Sequence, residues 1–186
     1  MQYRPFRRTE VWLRFREENK ARNVDDDSVA VRYVLPGVKR NLAVQGIHYV
    51  HDRLRLRSRV QSSWYTREGV TTRGVTTRGF TVAQDVSITH GRWKADVRFA
   101  LFHTDNFDNR QYVYENDILY AFSIPAYSGE GARQYLVLRY KVNRYLSFWG
   151  RLARTTYYDR DEVGSGLDII EGTTKTDMKL QMVVKW

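Results

Sequence analysis

Cysteine is absent from all 186 residues, so nothing in the chain depends on a disulfide or a thiolate. No apolar run reaches the roughly 18 residues that mark a transmembrane helix. The opening residues Met1, Gln2, Tyr3, Arg4 and Pro5 lack the apolar stretch of a secretory signal. Nucleophile-elbow, phosphate-loop and paired-carboxylate motifs are also missing. Serine, histidine and aspartate occur, but no spacing gathers them, so no catalytic residue is assigned and no enzyme is expected. His48, His51, His90 and His103 lack ligand spacing. Neither a metal nor an organic cofactor is expected.

What the chain does have is alternation. Met178, Leu180, Met182, Val184 and Trp186 fall on one face of an extended strand, and Asp177, Lys179, Gln181 and Lys185 on the other. The pattern recurs upstream. Val11, Leu13 and Phe15 alternate with Glu10, Trp12, Arg14 and Arg16. Leu54, Leu56, Val60 and Trp64 alternate with Arg53, Arg55, Arg57, Arg59 and Gln61. Phe80, Val82, Val86 and Ile88 share a face, as do Trp93, Ala95, Val97, Phe99 and Leu101. Leu136, Leu138 and Tyr140 alternate with Tyr135, Arg139 and Lys141, and Leu146, Phe148 and Leu152 with Ser147, Trp149 and Arg151. The segment 40–50 alternates least well. Period-two patterning of this kind predicts half-buried strands.

Eight long strands are predicted, near 9–19, 39–50, 52–65, 79–90, 92–104, 132–142, 145–156 and 175–186. Tight turns fall around His51 and Asp52, His90 and Gly91, and Asn143 and Arg144. The connections 20–38, 66–78, 105–131 and 157–174 are long. Short and long alternate strictly, as periplasmic turns and extracellular loops do in outer-membrane barrels. Treating 112–124 as one more strand would break that parity, so it is assigned to a hairpin-like excursion of an outer loop. The expected fold is all-β, an antiparallel up-and-down transmembrane β-barrel of about eight long strands in one domain. Eleven or more residues at roughly 3.3 Å rise, tilted about 45°, cover the apolar thickness of a bilayer. Trp64, Trp93 and Trp186 at strand ends suit interfacial girdles. A barrel must be exported, so the chain is read as a fragment or a processed product.

The net charge is +10. In the barrel reading it lines the lumen, with Arg53, Arg55, Arg57, Arg59, Arg98, Arg139, Lys141 and Arg151 as the candidate basic wall. Arg14, Arg16, Lys94, Lys179 and Lys185 share that face, against the carboxylates Glu10, Glu18, Asp85, Asp96 and Asp177. An eight-strand barrel is only just wide enough to be filled by side chains. The cation surplus therefore predicts a wider, hydrated lumen that attracts anionic solutes, or cations that pair with strands outside this chain. Asp25, Asp26, Asp27, Asp105, Asp108, Glu115 and Asp117 match no calcium loop and are expected to be solvated outer-loop acids. Residues 70–74, Val-Thr-Thr-Arg-Gly, repeat at once as 75–79 and look like a small loop duplication.

A chain ending on the aromatic of such a strand resembles the C-terminal assembly signal of bacterial outer-membrane barrels, carried here by Met182, Val184 and Trp186. Two further stretches are distinctive. One is 114–131, Tyr-Glu-Asn-Asp-Ile-Leu-Tyr-Ala-Phe-Ser-Ile-Pro-Ala-Tyr-Ser-Gly-Glu-Gly. The other is 155–168, Thr-Thr-Tyr-Tyr-Asp-Arg-Asp-Glu-Val-Gly-Ser-Gly-Leu-Asp. Both resemble the C-terminal barrel region of Bacteroidota helix-hairpin-helix, competence-related outer-membrane proteins, over most of residues 38–186. The resemblance implies the bacterial outer membrane, with its lipid and the barrel-assembly machinery as partners. It transfers no active-site residue. The helical DNA-binding module has no counterpart in these residues, so nucleic acid is not expected as a partner of this fragment.

Two rivals remain open at this point. A soluble basic β-protein would place Arg53, Arg55 and Arg57 on the phosphates of single-stranded nucleic acid and stack Tyr or Trp on bases. A soluble eight-stranded carrier would bury the apolar face around a ligand cavity. Periodicity alone does not say which face is the inner one.

Overall fold

A computed structural model describes residues 2–19, 22–23, 34–67, 75–164 and 166–186. The aspartates Asp25, Asp26 and Asp27 and the first copy of the Val-Thr-Thr-Arg-Gly repeat lie outside the described residues. The protein is all-β, built on one antiparallel meander. Its nine strands are β1 (Gln2–Phe6), β2 (Thr9–Asn19), β3 (Gly37–His51), β4 (Leu54–Arg67), β5 (Val75–His90), β6 (Trp93–Thr104), β7 (Glu130–Lys141), β8 (Leu146–Tyr157) and β9 (Thr174–Val184). Each pairs with its neighbours in sequence, and β1 and β9 form the two edges among the described residues.

Eight strands coincide with the predicted set, most ends moving by one to four residues. The short β1 is an addition. It joins β2 through Arg7 and Arg8, so the alternation of tight and long connections extends one strand further. Local chemistry closes the other tight turns. Gly91 takes a left-handed conformation at φ 55°, which a residue bearing Cβ adopts only with strain. The Asn143 side chain accepts from the backbone N–H groups of Tyr145 and Leu146, each at 2.8 Å. His51 Nδ1 accepts from the Arg53 N–H at 3.1 Å.

The sheet is inverted relative to a water-soluble one. Along β5 the buried positions are Gly79, Thr81, Ala83, Asp85 and Ser87, whereas Phe80, Val82 and Ile88 are exposed. On β6, Val97, Phe99 and Leu101 are exposed, while Asp96 and Arg98 are buried. At the β9 edge, Leu180 is 76% and Met178 is 71% exposed. Full removal from water is worth roughly 1.5–3 kcal/mol for each such side chain. This face leaves that contribution unrealised across β4 to β9.

The polar face is covered from within the chain. Residues 105–129 fold back over it and do not stand away as an outer excursion, which corrects the expectation for 112–124. The segment makes a 3₁₀ turn at Phe107–Asn109, a two-residue ladder between Gln111–Tyr112 and Ala126–Tyr127, and a bridge from Glu115 to Ser123. It is hairpin-like, as expected, but packed inward. Val113 and Tyr127 rest on Ala83, Ala100 and Phe102, with the Phe102 and Tyr127 rings stacked 4.9 Å apart. Small residues make the room: a Cβ at Gly79 would lie 2.8 Å from Ser63 Oγ and 3.0 Å from Gln111 Nε2.

Candidate functional site

Strand register sets charges of opposite sign side by side on the polar face. Arg57 of β4 stands opposite Asp85 of β5, and Asp85 opposite Arg98 of β6. Arg57 Nε donates to Asp85 Oδ2 at 2.5 Å, and Arg98 Nη2 to the same oxygen at 2.8 Å. The Arg98 Nε closes a second bond to Oδ1. One row toward the tight turns, Ser87 Oγ donates to Asp96 Oδ1 at 2.5 Å. Arg55 Nη2 donates to Ser87 Oγ at 3.0 Å, and Lys94 Nζ lies 3.3 Å from Asp96. Two aspartates thus hold four cations of the sheet.

The folded-back segment brings the rest of the counter-charge. Glu115, with no solvent exposure, accepts from Arg133 Nε at 3.0 Å, from Arg151 Nη2 at 2.5 Å and from the Tyr127 hydroxyl at 2.9 Å. Asp117 accepts from Lys179 Nζ at 2.6 Å and faces Arg151 Nε at 3.7 Å. Backbone carbonyls extend the seal: Arg98 Nη1 donates to Tyr114 at 2.7 Å and Gln181 Nε2 to Leu119 at 3.0 Å. At the other end of the segment, Lys39 Nζ donates to the Arg110 carbonyl at 2.7 Å, and Ser63 Oγ donates to Asn109 Oδ1 at 2.7 Å. Burial first, and the Glu115 carboxylate second, push the Tyr127 phenol well above its ordinary value. It stays a neutral donor.

This arrangement corrects the assignment of Glu115 and Asp117 as solvated acids. Both side chains have no exposure and are paired. A carboxylate inserted among buried guanidiniums is the low-energy solution, since an unpaired interior charge costs several kcal/mol. Asp105, by contrast, is exposed, accepting from the Arg78 N–H at 2.7 Å.

The candidate basic residues separate into three groups. Arg57, Arg98 and Arg151 are pinned by carboxylates, and Arg55 by Ser87 with Asp96 at 3.9 Å. Arg59, Arg139 and Lys141 lie on the same face with no carboxylate partner among the described residues; Arg59 donates to Gln61, and Arg139 stacks on Trp149 at 5.4 Å. Arg53 is exposed at the tight turn, apart from the other two groups. Of the terminal signal residues, Met182 and Val184 project from the exposed apolar face of β9, and Trp186 is exposed just beyond the strand.

Sequence reasoning missed Arg133, Lys39, Glu115 and Asp117 as parts of one network. A signal was present: Ala83, Ala100, Val137 and Ala153 are small or apolar on a face otherwise made of charges. A water-filled groove has no use for them, and a packed segment does. Among the described residues no group of three or more side chains has metal-binding geometry, and no helix is long and apolar enough to cross a membrane. Comparison of the chain with protein-family models, with curated proteins and with solved structures finds no match in any of the three.

Proposed function

We propose that this chain is an integral β-barrel of the bacterial outer membrane, or the C-terminal part of a larger one. In this reading the apolar face meets lipid and the polar face lines a lumen narrowed by residues 105–129. One observation carries it: the sheet buries its charged face and exposes its apolar one. Soluble monomers keep exposed apolar patches to a few hundred Å², whereas here apolar side chains stand exposed on β5, β6, β8 and β9 together. Such a face is what lipid requires of a barrel wall. The tight turns then lie in the periplasm, the long loops outside, and Trp186 at the periplasmic end, where assembly machinery reads it. The lumen function is passive passage or docking of anionic solutes, because cations behind a low-dielectric wall focus their field on the aqueous path.

The nucleic-acid reading draws no support from the geometry. Arg55 and Arg57 are engaged by Ser87 and Asp85 within the fold, and the opposite face offers apolar side chains to water. The deciding experiment is carbonate extraction of membranes from cells expressing the protein, followed by conductance in planar bilayers. Retention in the pellet and detergent-dependent solubility are the expected result. A monodisperse protein free of detergent would overturn the proposal.

A further inference from the structure

We infer that the polar face carries a discrete binding site for a phosphate-bearing solute, at the cavity between β2, β3, β4 and the start of the folded-back segment. The cavity measures about 200 Å³ and is lined by Arg14, Arg16, Lys39, Arg59, Arg110 and Tyr112. Its single carboxylate, Glu18, pairs with Arg16. Arg14, Arg59 and Arg110 have no carboxylate partner among the described residues.

Two observations beyond the clustering point to a ligand. The Arg59 Nε is buried and makes no hydrogen bond, although an unsatisfied charged donor costs more than a neutral one. The Trp12 ring takes both guanidiniums, Arg14 at 5.3 Å and Arg59 at 5.7 Å from its centroid. Two like charges thus meet at one ring, and no carboxylate among the described residues is bonded to either. Between Arg57 and Arg98 the chain places Asp85, and between Arg133 and Arg151 it places Glu115; between Arg14, Arg59 and Arg110 it leaves a cavity. An oxyanion there would accept from the outer guanidinium nitrogens of Arg59, Arg14 and Arg110, with the Tyr112 hydroxyl, which accepts from the Arg110 Nε at 2.7 Å, beside them.

Size and charge select the class. The volume lies below the roughly 300–1,000 Å³ of drug-sized pockets, which favours inorganic phosphate or a small phosphate monoester. A doubly charged group also matches several fixed cations better than a carboxylate does. The site opens on the polar face, away from the apolar surface, so the source is a solute and not a lipid headgroup. This rests on the barrel reading only in taking that face as a lumen; the site itself stands on the side chains.

The test uses the full chain folded in detergent micelles, with inorganic phosphate titrated against chloride at constant ionic strength and tryptophan emission recorded. A saturable response at millimolar phosphate is expected, absent in Trp12→Phe and weakened roughly tenfold or more in Arg59→Gln and Arg14→Gln. Arg53→Gln, at the exposed turn, should bind as the parent does. Calorimetry on the same samples gives a readout independent of the ring, and far-UV dichroism confirms that each variant is folded. No saturable response, an equal response to chloride, unchanged binding in both arginine variants, or a response only to phospholipid added to the micelles would each overturn the site. Loss of the site in a protein that still partitions into membranes would leave the barrel reading intact. Phosphate binding by a protein soluble without detergent would do the reverse.

Discussion

Two groups of arginines share one face of the sheet and differ in their partners and in their burial. Arg98, Arg133 and Arg151 are buried and each within bonding distance of a carboxylate, whereas Arg14 and Arg59 are more exposed and share contact with the Trp12 ring. For Arg133 and Arg151 the positive charge is consumed in holding residues 105–129 against the strands, and for Arg98 in pairing with Asp85 of β5. For the second group it remains available. A cation on this wall is therefore structural or recruiting according to whether the fold supplies an anion, and residue type alone does not distinguish the two.

The contrast breaks first at Glu115. Glu115→Gln removes the carboxylate that Arg133 and Arg151 share and leaves them only Asp177 at 3.5 Å and Asp117 at 3.7 Å; losing one member of a buried pair costs roughly 3–5 kcal/mol. Denaturant unfolding in lipid vesicles should show a loss of that order, and limited proteolysis should cut within 105–129. A larger conductance than the parent's is the matching electrical outcome.

The comparison presupposes that the polar face is the inner one, and Leu138→Arg tests this. Leu138 is 39% exposed on the opposite face. In a bilayer an arginine on the lipid face costs roughly 2–4 kcal/mol at mid-depth and less toward the interfaces; in a soluble protein the same surface change stays within about 0.5 kcal/mol. Folded yield into vesicles should fall accordingly, and an unchanged yield would remove the premise.

A solvent-facing pair supplies the scale for an ion pair that is not enclosed. Arg160 donates to both oxygens of Asp159 at 2.9 Å, and those hydrogen bonds hold the Asp159 carboxyl below its ordinary value. A depressed folded value means the contribution is present above the unfolded value of about 3.9 and is lost as pH falls through the lower folded one. Asp159→Asn should cost less than about 1 kcal/mol at neutral pH. The difference from the parent should vanish in strong acid, as followed by thermal melts across pH. The smallest effect belongs to Arg59→Gln, which removes no ion pair and relieves repulsion from Arg14. Its stability should stay within about 0.5 kcal/mol of the parent while phosphate binding weakens. A large loss of stability would place Arg59 with the structural group.

The strands, their faces and the three tight turns after β3, β5 and β7 were legible because period two and turn chemistry are local. Leu54, Leu56 and Val60 against Arg55, Arg57 and Arg59 need only their own neighbours to declare a face. The path of residues 105–129 was not legible in that way. Glu115 meets Arg151 and Asp117 meets Lys179 across 36 and 62 residues of sequence, and only the finished register brings them together. β1 escaped for a different reason. It has five residues, includes Pro5, and derives its pairing from β2 rather than from any pattern of its own, as suits an edge position.

Nine strands in one meander have a directional consequence, because β1 and β9 run the same way. A seam joining them directly would be parallel, unlike every other ladder in the sheet. An antiparallel seam needs an odd number of further strands between the edges, or the exchange of β1 for β9 on the flank of β2. The exchange would break little: β1 reaches only as far as Trp12, with an irregular register between Tyr3 and Phe6. Beyond that point β2 has no strand on its outer side among the described residues. Both routes lead to an even-stranded wall, and they differ in whether the terminal strand closes on its own chain's second strand or on a newcomer.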